Sequence, residues 1–518
     1  MSRSPTTRSD RGASVFIRVR SHHFLIKDPN NAVRSIIKEF TKPLIKWDTK
    51  WVGGRPVRTM NCVYATANAA RSEYRFAINF LPKFIKALTN AGIPESEIVQ
   101  YNDHPGRGAK VHQQFKEGFN LREKQVAPLE YLQDKTEPRC KLLELQTGSG
   151  KTVTTLKAVE LEGRGAAYFM PAKYLVNWEE AVEEFLDPSV ENIFIEGSDE
   201  IRKLIKNRLA KKGPVYANYF FSSNTFGKFI KMWERDPKRF KRDYKIHIDQ
   251  FFKLLGIDTV VVDEAHEFLH FNVKLWCYTN VYRTISLSGT YESKDRLEVL
   301  VQNTLHPMET RREREEYRKY SDSFCWLFEV FDPERVQVTE YNDEKYSHNA
   351  FERHLLKNPE RRERYFTLMH EALRVEYFET RRENQSCLVF CAAVDTCMGF
   401  SEWLKKRYPN EKITFFVAGS DFTDDFLTAD IVISTHGKSG TALDKPGLCT
   451  VIQTIGMDGN RGFKQAFGRI REIKGQRTRY AHLTASNLDK PLKYFEEKYE
   501  LLEKMSLSVQ KRIYPHRI

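Results

Sequence analysis

The sequence predicts an α/β protein. Two successive blocks of parallel strands and helices follow a small α+β unit and are separated by a charged helical segment. Three observations predict this. The short apolar stretch 141–145 runs through a glycine-rich turn into a helical run, Val153 to Glu162. The β-branched run Thr259-Val260-Val261-Val262 has the composition of a strand buried on both faces and ends in two carboxylates. Short apolar strands then recur at 387–391, 413–417, 431–435 and 450–454, with a helix over 398–408.

A chain of 518 residues is long enough for three or four domains. Its formal net charge of +14 favours a polyanionic partner, because Lys and Arg release counterions from phosphate backbones. A basic protein without such a partner is the plainer alternative. No run of eighteen apolar residues occurs, which argues against a membrane-spanning helix. Met1 to Arg11 is polar and lacks the apolar core of a signal peptide, so it reads as a disordered tail. The cysteines are scattered, with no paired Cys-x-x-Cys motifs of a zinc site. The expected setting is reducing and cytoplasmic.

Residues 1–118 read as a separate accessory unit. Alternation over Ser14 to Arg20 predicts a strand with Phe24-Leu25-Ile26 beside it, and Asn31 to Phe40 reads as an amphipathic helix. A β-rich stretch from Leu44 to Tyr64 turns at Gly53-Gly54, and Phe80 to Asn90 is a second helix. This unit is either a nucleic-acid contact or packing for the rest of the chain.

From 119 to 295 the chain reads as the first large block. Leu145-Gln146-Thr147-Gly148-Ser149-Gly150-Lys151-Thr152 joins a strand to a helix, the context of a phosphate-binding loop. Gly148, Ser149 and Gly150 let backbone N–H groups approach an anion. Lys151 is placed to reach the outer phosphates, and the Thr152 hydroxyl to ligate Mg²⁺. Leu145 stands where the strict pattern has Gly. Upstream, in Phe119 to Gln125, the Gln125 amide offers the donor and acceptor that match an adenine edge, with Arg122 beside it. An apolar strand ends at Pro171, at the edge where open sheets bind ligands, and Lys173 there is a candidate backbone-phosphate contact. Trp178 reads as helix-to-sheet packing. Val215 to Phe221 is a strand leading to hydroxyls that include Thr225, another candidate phosphate contact.

Asp263-Glu264-Ala265-His266 ends the β-branched strand. Asp263 is suited to hold Mg²⁺, and Glu264 to orient and deprotonate a water. His266, with Ser288 and Thr290 of the next strand end, is a candidate relay from nucleotide to neighbouring domain. Residues 296–384, rich in Arg and Glu and poor in Gly, read as a helical linker or insert. The block 385–485 carries Thr435 and the string Lys464 to Arg471. Arg469 and Arg471 read as lying at the start of a helix and suit an arginine-finger role. Residues 486–518 read as a final helix.

Taken in order, Gln125, the 145–152 loop, Pro171, Asp263 to His266, Ser288 to Thr290, Thr435 to Pro446 and Gln465 to Arg471 resemble the motifs of superfamily-2 helicases of the DEAH type. The resemblance covers 119–485. The pattern of 1–118 is similar to the N-terminal domain of phage UvsW-type recombination helicases. Arg471 follows Arg469 by two residues where the family spaces three, so Arg469 carries over more directly. Thr435 to Pro446 is one residue longer than usual, with Ala442 in place of Gly.

What the resemblance implies is two tandem RecA-like domains that close on ATP and Mg²⁺. Lys151, Thr152, Asp263 and Glu264 come from the first, and Gln465 and Arg469 from the second. The implied activity is ATP-driven movement on DNA, by unwinding or branch migration, in recombination, repair or replication. Contacts to single-stranded or branched DNA are expected to be largely sequence-independent. An RNA helicase, a duplex translocase that does not separate strands and a nucleotide-gated binding protein are the alternatives.

Overall fold

The computed structural model describes residues 15–52, 55–134, 139–145, 149–293, 295–312, 319–339, 346–417, 419–420, 424–436, 445, 447–470, 472–473 and 475–518. The fold is α/β, with two seven-stranded sheets. The chain divides into two compact units, one ending at residue 314 and one beginning at 315.

In the first sheet the strands lie in the order Asn192–Ile195, Asn218–Ser222, Gly165–Met170, Ile257–Val262, Arg283–Ser288, Cys140–Glu144 and Arg311–Arg312. Every pairing is parallel. The five inner strands are buried almost throughout, which explains their unbroken apolar or β-branched runs. Helices cover them, and rings interlock across the interface: Phe169 stacks on Phe221 at 5.2 Å and tilts against Phe226 at 4.8 Å.

The N-terminal residues build a mixed five-stranded sheet. Val15–Val19 pairs antiparallel with His23–Lys27, as expected, and parallel with Ile98–Asn102. Ile45–Val52 and Arg55–Val63 form a hairpin of their own. Phe24, Phe76 and Phe84, all fully buried, fill the space under the helices Asn31–Thr41 and Leu81–Asn90. Each such ring contributes about 1.5–3 kcal/mol on burial.

This part is not a separate unit. Its core is continuous with that of the first sheet. Arg75, 1% exposed, bonds Glu73, Asp249 at 2.6 Å and the Cys277 carbonyl. Arg20 reaches the same Asp249 at 2.8 Å. A charge buried this way is costly unless paired on all sides, so the ion cluster ties the N-terminal sheet to the segment 249–279.

The second sheet runs Ile413–Phe416, Ile431–Thr435, Ser386–Cys391, Leu448–Gln453, Thr478–Ala485, Ser321–Phe328 and Ser508–Ile513, again all parallel. The segment 296–384, read as a helical linker, is instead shared. Helix Arg296–Leu305 and strand Arg311–Arg312 belong to the first unit. Ser321–Phe328 is a buried strand of the second, and the helices His348–Lys357 and Pro359–Leu373 cover that sheet. The run Phe324-Cys325-Trp326-Leu327-Phe328 is short and flanked by dense charge, which hides it in composition. Beyond Ala485, helix Asp489–Met505 is followed by an edge strand, Ser508–Ile513, whose polar exposed face gives little sequence signal.

Candidate functional site

The site is built on the carboxyl edge of the first sheet. Strand Cys140–Glu144 leads to the phosphate-type loop, Arg283–Ser288 to Ser288-Gly289-Thr290, and Ile257–Val262 to the acid pair. These three strands are neighbours, so their loops meet by topology.

Gln146, Thr147 and Gly148 lie outside the described residues. Gly150 sits in the left-handed region at φ +88° and caps helix Lys151–Glu162. A side chain there would also collide with the Gln125 amide, 2.1 Å from an added Cβ. The left-handed conformation is what calls for glycine here, and the Gln125 side chain would have to shift for any other residue. The Lys151 ammonium donates to the Leu145 carbonyl at 3.0 Å, which holds it over the start of the loop. Thr152 is the second residue of the helix.

Gln125 is buried. Its carbonyl accepts from the Arg122 backbone N–H at 2.8 Å, and its amide faces the Gly150 carbonyl at 3.5 Å. Its amide thus joins the start of helix Glu123–Gln133 to the loop, a supporting role that an adenine-edge reading alone does not anticipate.

The acid pair is held from several sides. The Asp263 carboxylate accepts from the Trp178 indole N–H at 2.8 Å and from the Glu264 N–H at 2.9 Å. Burial pushes the Asp263 carboxyl above its ordinary value, while the Trp178 bond and the Lys151 charge pull it down. Glu264 sits at φ +48°, a left-handed conformation rare for a residue with a side chain. Strain of this type persists only where surrounding contacts enforce it, and it concentrates at functional sites.

Glu264 faces His266 Nδ1 at 3.3 Å. That same nitrogen lies 2.7 Å from Ser288 Oγ, which in turn accepts from the Thr290 N–H at 3.1 Å. His266, Ser288 and Thr290 are all buried. Glu264 is therefore connected to the next strand end through a chain of polar contacts.

The turn after Pro171 joins this edge. Lys173 and the Tyr174 hydroxyl both bond Glu267, at 3.2 and 3.0 Å. Thr225 differs: it is buried, and its hydroxyl donates to the Glu196 carbonyl, so it supports the fold locally. Trp178 is the residue that sequence reasoning undervalued. It packs against Tyr168 at 5.0 Å as expected, yet it also fixes Asp263. Its partner lies on another element, so no spacing in the sequence signals the contact.

Thr435, Gln465 and Arg469 belong to the second unit. Thr435 ends the strand Ile431–Thr435, and the following His436 donates from Nε2 to the Gly462 carbonyl at 2.9 Å. That bond ties the strand tip to helix Asn460–Phe467, which carries Gln465. Arg469, 7% exposed, lies after this helix and not at the start of one. The N–H groups of Arg469 and Ile470 bond carbonyls three residues back, tightening the chain past Gly468 and ending the helix. Arg471 and most of Thr435 to Pro446 lie outside the described residues. Lys445, which is described, is buried and donates to the Phe426 and Leu427 carbonyls at 2.9 and 2.6 Å. Burial lowers its pKa to about 8.

Among the described residues no helix is long and apolar enough to cross a membrane, and no cluster of three or more His, Cys, Asp or Glu side chains forms a ready metal cage. A site that takes a cation through one carboxylate, a hydroxyl and a substrate's own oxygens needs no such cage. No protein-family model matches the chain, and no curated protein matches it.

Proposed function

We propose that the chain is an ATP hydrolase driven by nucleic acid, a helicase or translocase built on two RecA-like units, with DNA as its track. The observation that carries this reading is the connected set Lys151, Asp263, strained Glu264, His266 and Ser288 on adjacent strand tips. A plain structural turn has no use for a carboxylate held in a left-handed conformation beside a second carboxylate.

The residues fit the groups such an activity requires. Thr152 and Asp263 are hard oxygen donors of the type that suits Mg²⁺. A divalent cation bound there would add to the Trp178 hydrogen bond and the Lys151 charge in favouring the ionised Asp263. Bound Mg²⁺ supplies charge neutralisation on the phosphates. Lys151 and the first-turn N–H groups of helix Lys151–Glu162 bind and orient the triphosphate. Glu264 accepts the proton of the attacking water. His266 and Ser288 carry the state of Glu264 to Thr290. The resemblance implies that Gln465 and Arg469 of the second unit take part in hydrolysis, with the arginine-finger role falling to Arg469.

The preference for DNA rests on the basic N-terminal part and on its similarity in pattern to phage recombination helicases, while the net charge of +14 fits any nucleic acid. ATP turnover with single-stranded DNA, duplexes, forks, four-way junctions and RNA tests the reading. Stimulation by DNA is expected, and it is lost in Lys151→Ala. A Lys151→Ala protein with wild-type turnover overturns the assignment.

A further inference from the structure

The edge of the first sheet opposite the candidate site is also unusual. A cavity of about 640 Å³ opens there, lined by Arg18, Arg20, Arg107, Arg208 and Lys253 against only Asp103 and Asp249. Its floor is backbone in close contact: a Cβ on Gly108 would lie 2.5 Å from the Gly256 carbonyl oxygen, and Gly256 has φ +73°. The floor therefore cannot fill with side chains. Arg18 and Arg20 both pair with Asp103, at 3.0 and 3.1 Å, and Arg20 also pairs with Asp249. Arg107 is neutralised by Asp258 and Glu162. Arg208 has a buried Nε without a hydrogen-bond partner, and Lys253 is exposed.

Next to the cavity the N-terminal sheet carries an exposed aromatic face. Phe16 is 65% exposed, Tyr101 63% and Val99 40%. The register pairs Phe16 with Val99 and Arg18 with Tyr101, so all four share one face, and Arg18 lies over the Tyr101 ring at 5.8 Å. Phe16 and Tyr101 are diagonal neighbours, about 7–8 Å apart by sheet geometry. That spacing suits two successive unstacked bases. Apolar rings this exposed, near Arg208 and Lys253, match a ligand that is aromatic and anionic at once.

We infer that this face and the cavity bind single-stranded nucleic acid, with bases stacked on Phe16 and Tyr101 and the adjoining phosphates drawn to Arg208 and Lys253. The inference builds on the nucleic-acid reading above but not on hydrolysis. The strand Ile257–Val262 starts at this cavity and ends at Asp263, so a strand held here lies at the far end of the element that carries the acid pair.

The test is fluorescence anisotropy of a labelled oligo(dT) with the full chain in the absence of nucleotide. Phe16→Ala with Tyr101→Ala is expected to weaken binding at least about tenfold, since stacking on each ring is worth that much. The conservative pair Phe16→Tyr and Tyr101→Phe retains binding, which separates ring loss from misfolding. An abasic oligonucleotide of equal length is expected to bind weakly and not to distinguish wild type from the alanine pair. Arg208→Ala with Lys253→Ala is expected to flatten the salt dependence. Wild-type affinity in the alanine pair, or equal affinity for the abasic strand, overturns the inference. Lys151→Ala serves as the independent arm: it is expected to bind oligo(dT) normally, so loss of turnover and loss of this surface are read separately.

Discussion

The two sheets solve the same local problem in opposite ways. Each carries, at its carboxyl edge, a strand that turns into a helix whose N-cap has no side chain able to accept a hydrogen bond: Gly150 before Lys151–Glu162 and Ala393 before Val394–Arg407. Helix N-termini present unsatisfied N–H groups and attract an anion. In the second unit the chain supplies a carboxyl group itself, which burial pushes above its ordinary value while the hydrogen bonds it accepts pull it down. Glu352, fully buried, accepts from the Ala392 and Ala393 N–H groups at 2.9 and 2.8 Å and from the Thr454 hydroxyl at 2.7 Å. In the first unit the turn is glycine-rich, a lysine stands over it, and the nearest carboxylates belong to a strained acid pair. One turn is closed by an internal carboxyl group and serves stability. The other is the turn to which we assign an external phosphate. Two sheets of the same size and strand sense can therefore differ entirely in chemistry, and the difference resides in a few residues at one edge.

The sharpest way to break this comparison is to change the carboxylate on each side to its amide. Glu264→Gln removes a proton acceptor and is expected to lower nucleic-acid-stimulated turnover about 10²–10⁴-fold. Unfolding in denaturant is expected to stay unchanged or become harder, because a left-handed, partly buried charge is lost. Turnover within a few-fold of wild type shows that Glu264 is not the base.

A larger stability effect is expected away from both turns. Burial alone would raise the Asp249 carboxyl, but Arg75 and Arg20 outweigh it and hold it far below the ordinary carboxylate range. A depressed folded-state pKa contributes stability above the unfolded value near 3.8, and that stability is lost progressively as pH falls below it. Asp249→Asn leaves buried Arg75 with Glu73 as its carboxylate partner and is expected to cost the first unit about 1–3 kcal/mol at neutral pH. It is also expected to flatten the acid limb of the pH–stability profile. An unchanged denaturation midpoint shows that the N-terminal sheet is held by its apolar core alone.

Glu352→Gln is the counterpart in the second unit. The amide offers one acceptor oxygen and a donor NH₂ to a site that supplies only donors, so a cost of about 1–3 kcal/mol in unfolding free energy is expected. Nucleotide affinity at the first turn is expected to be unaffected. Loss of nucleotide binding with stability intact shows that this turn is not merely structural.

The contrast also explains what the sequence disclosed. Strands buried on both faces were legible, because β-branched and apolar runs such as 259–262 and 431–435 have few other uses. Motif residues were legible where chemistry and position coincide, as at Gly150, Lys151 and Asp263. The strand Ser321–Phe328 was not, because charged neighbours dominate its window. Arg469 was read at the start of a helix but follows the end of Asn460–Phe467, because Gly468 closes that helix without adopting the left-handed conformation that marks most glycine caps. Glu352 and Trp178 were invisible for one shared reason. Each acts across the fold on a partner from another element, and nothing in the local pattern records the meeting.

Trp178 offers the finest test, because its two roles can be separated. Trp178→Phe keeps an aromatic ring against Tyr168 and Phe220 but removes the N–H that bonds Asp263. A hydrogen bond to a charged group is worth about 1.5–3 kcal/mol, and its loss leaves Asp263 with a higher pKa and a less fixed carboxylate. The expected result is an increase of about tenfold or more in the Mg²⁺ concentration for half-maximal turnover, relieved as pH rises and Asp263 ionises. Only a small drop in melting temperature should accompany it, because most of the buried ring area remains. If Mg²⁺ dependence is unmoved while stability falls, Trp178 is packing alone, and the support of Asp263 passes to the Glu264 N–H.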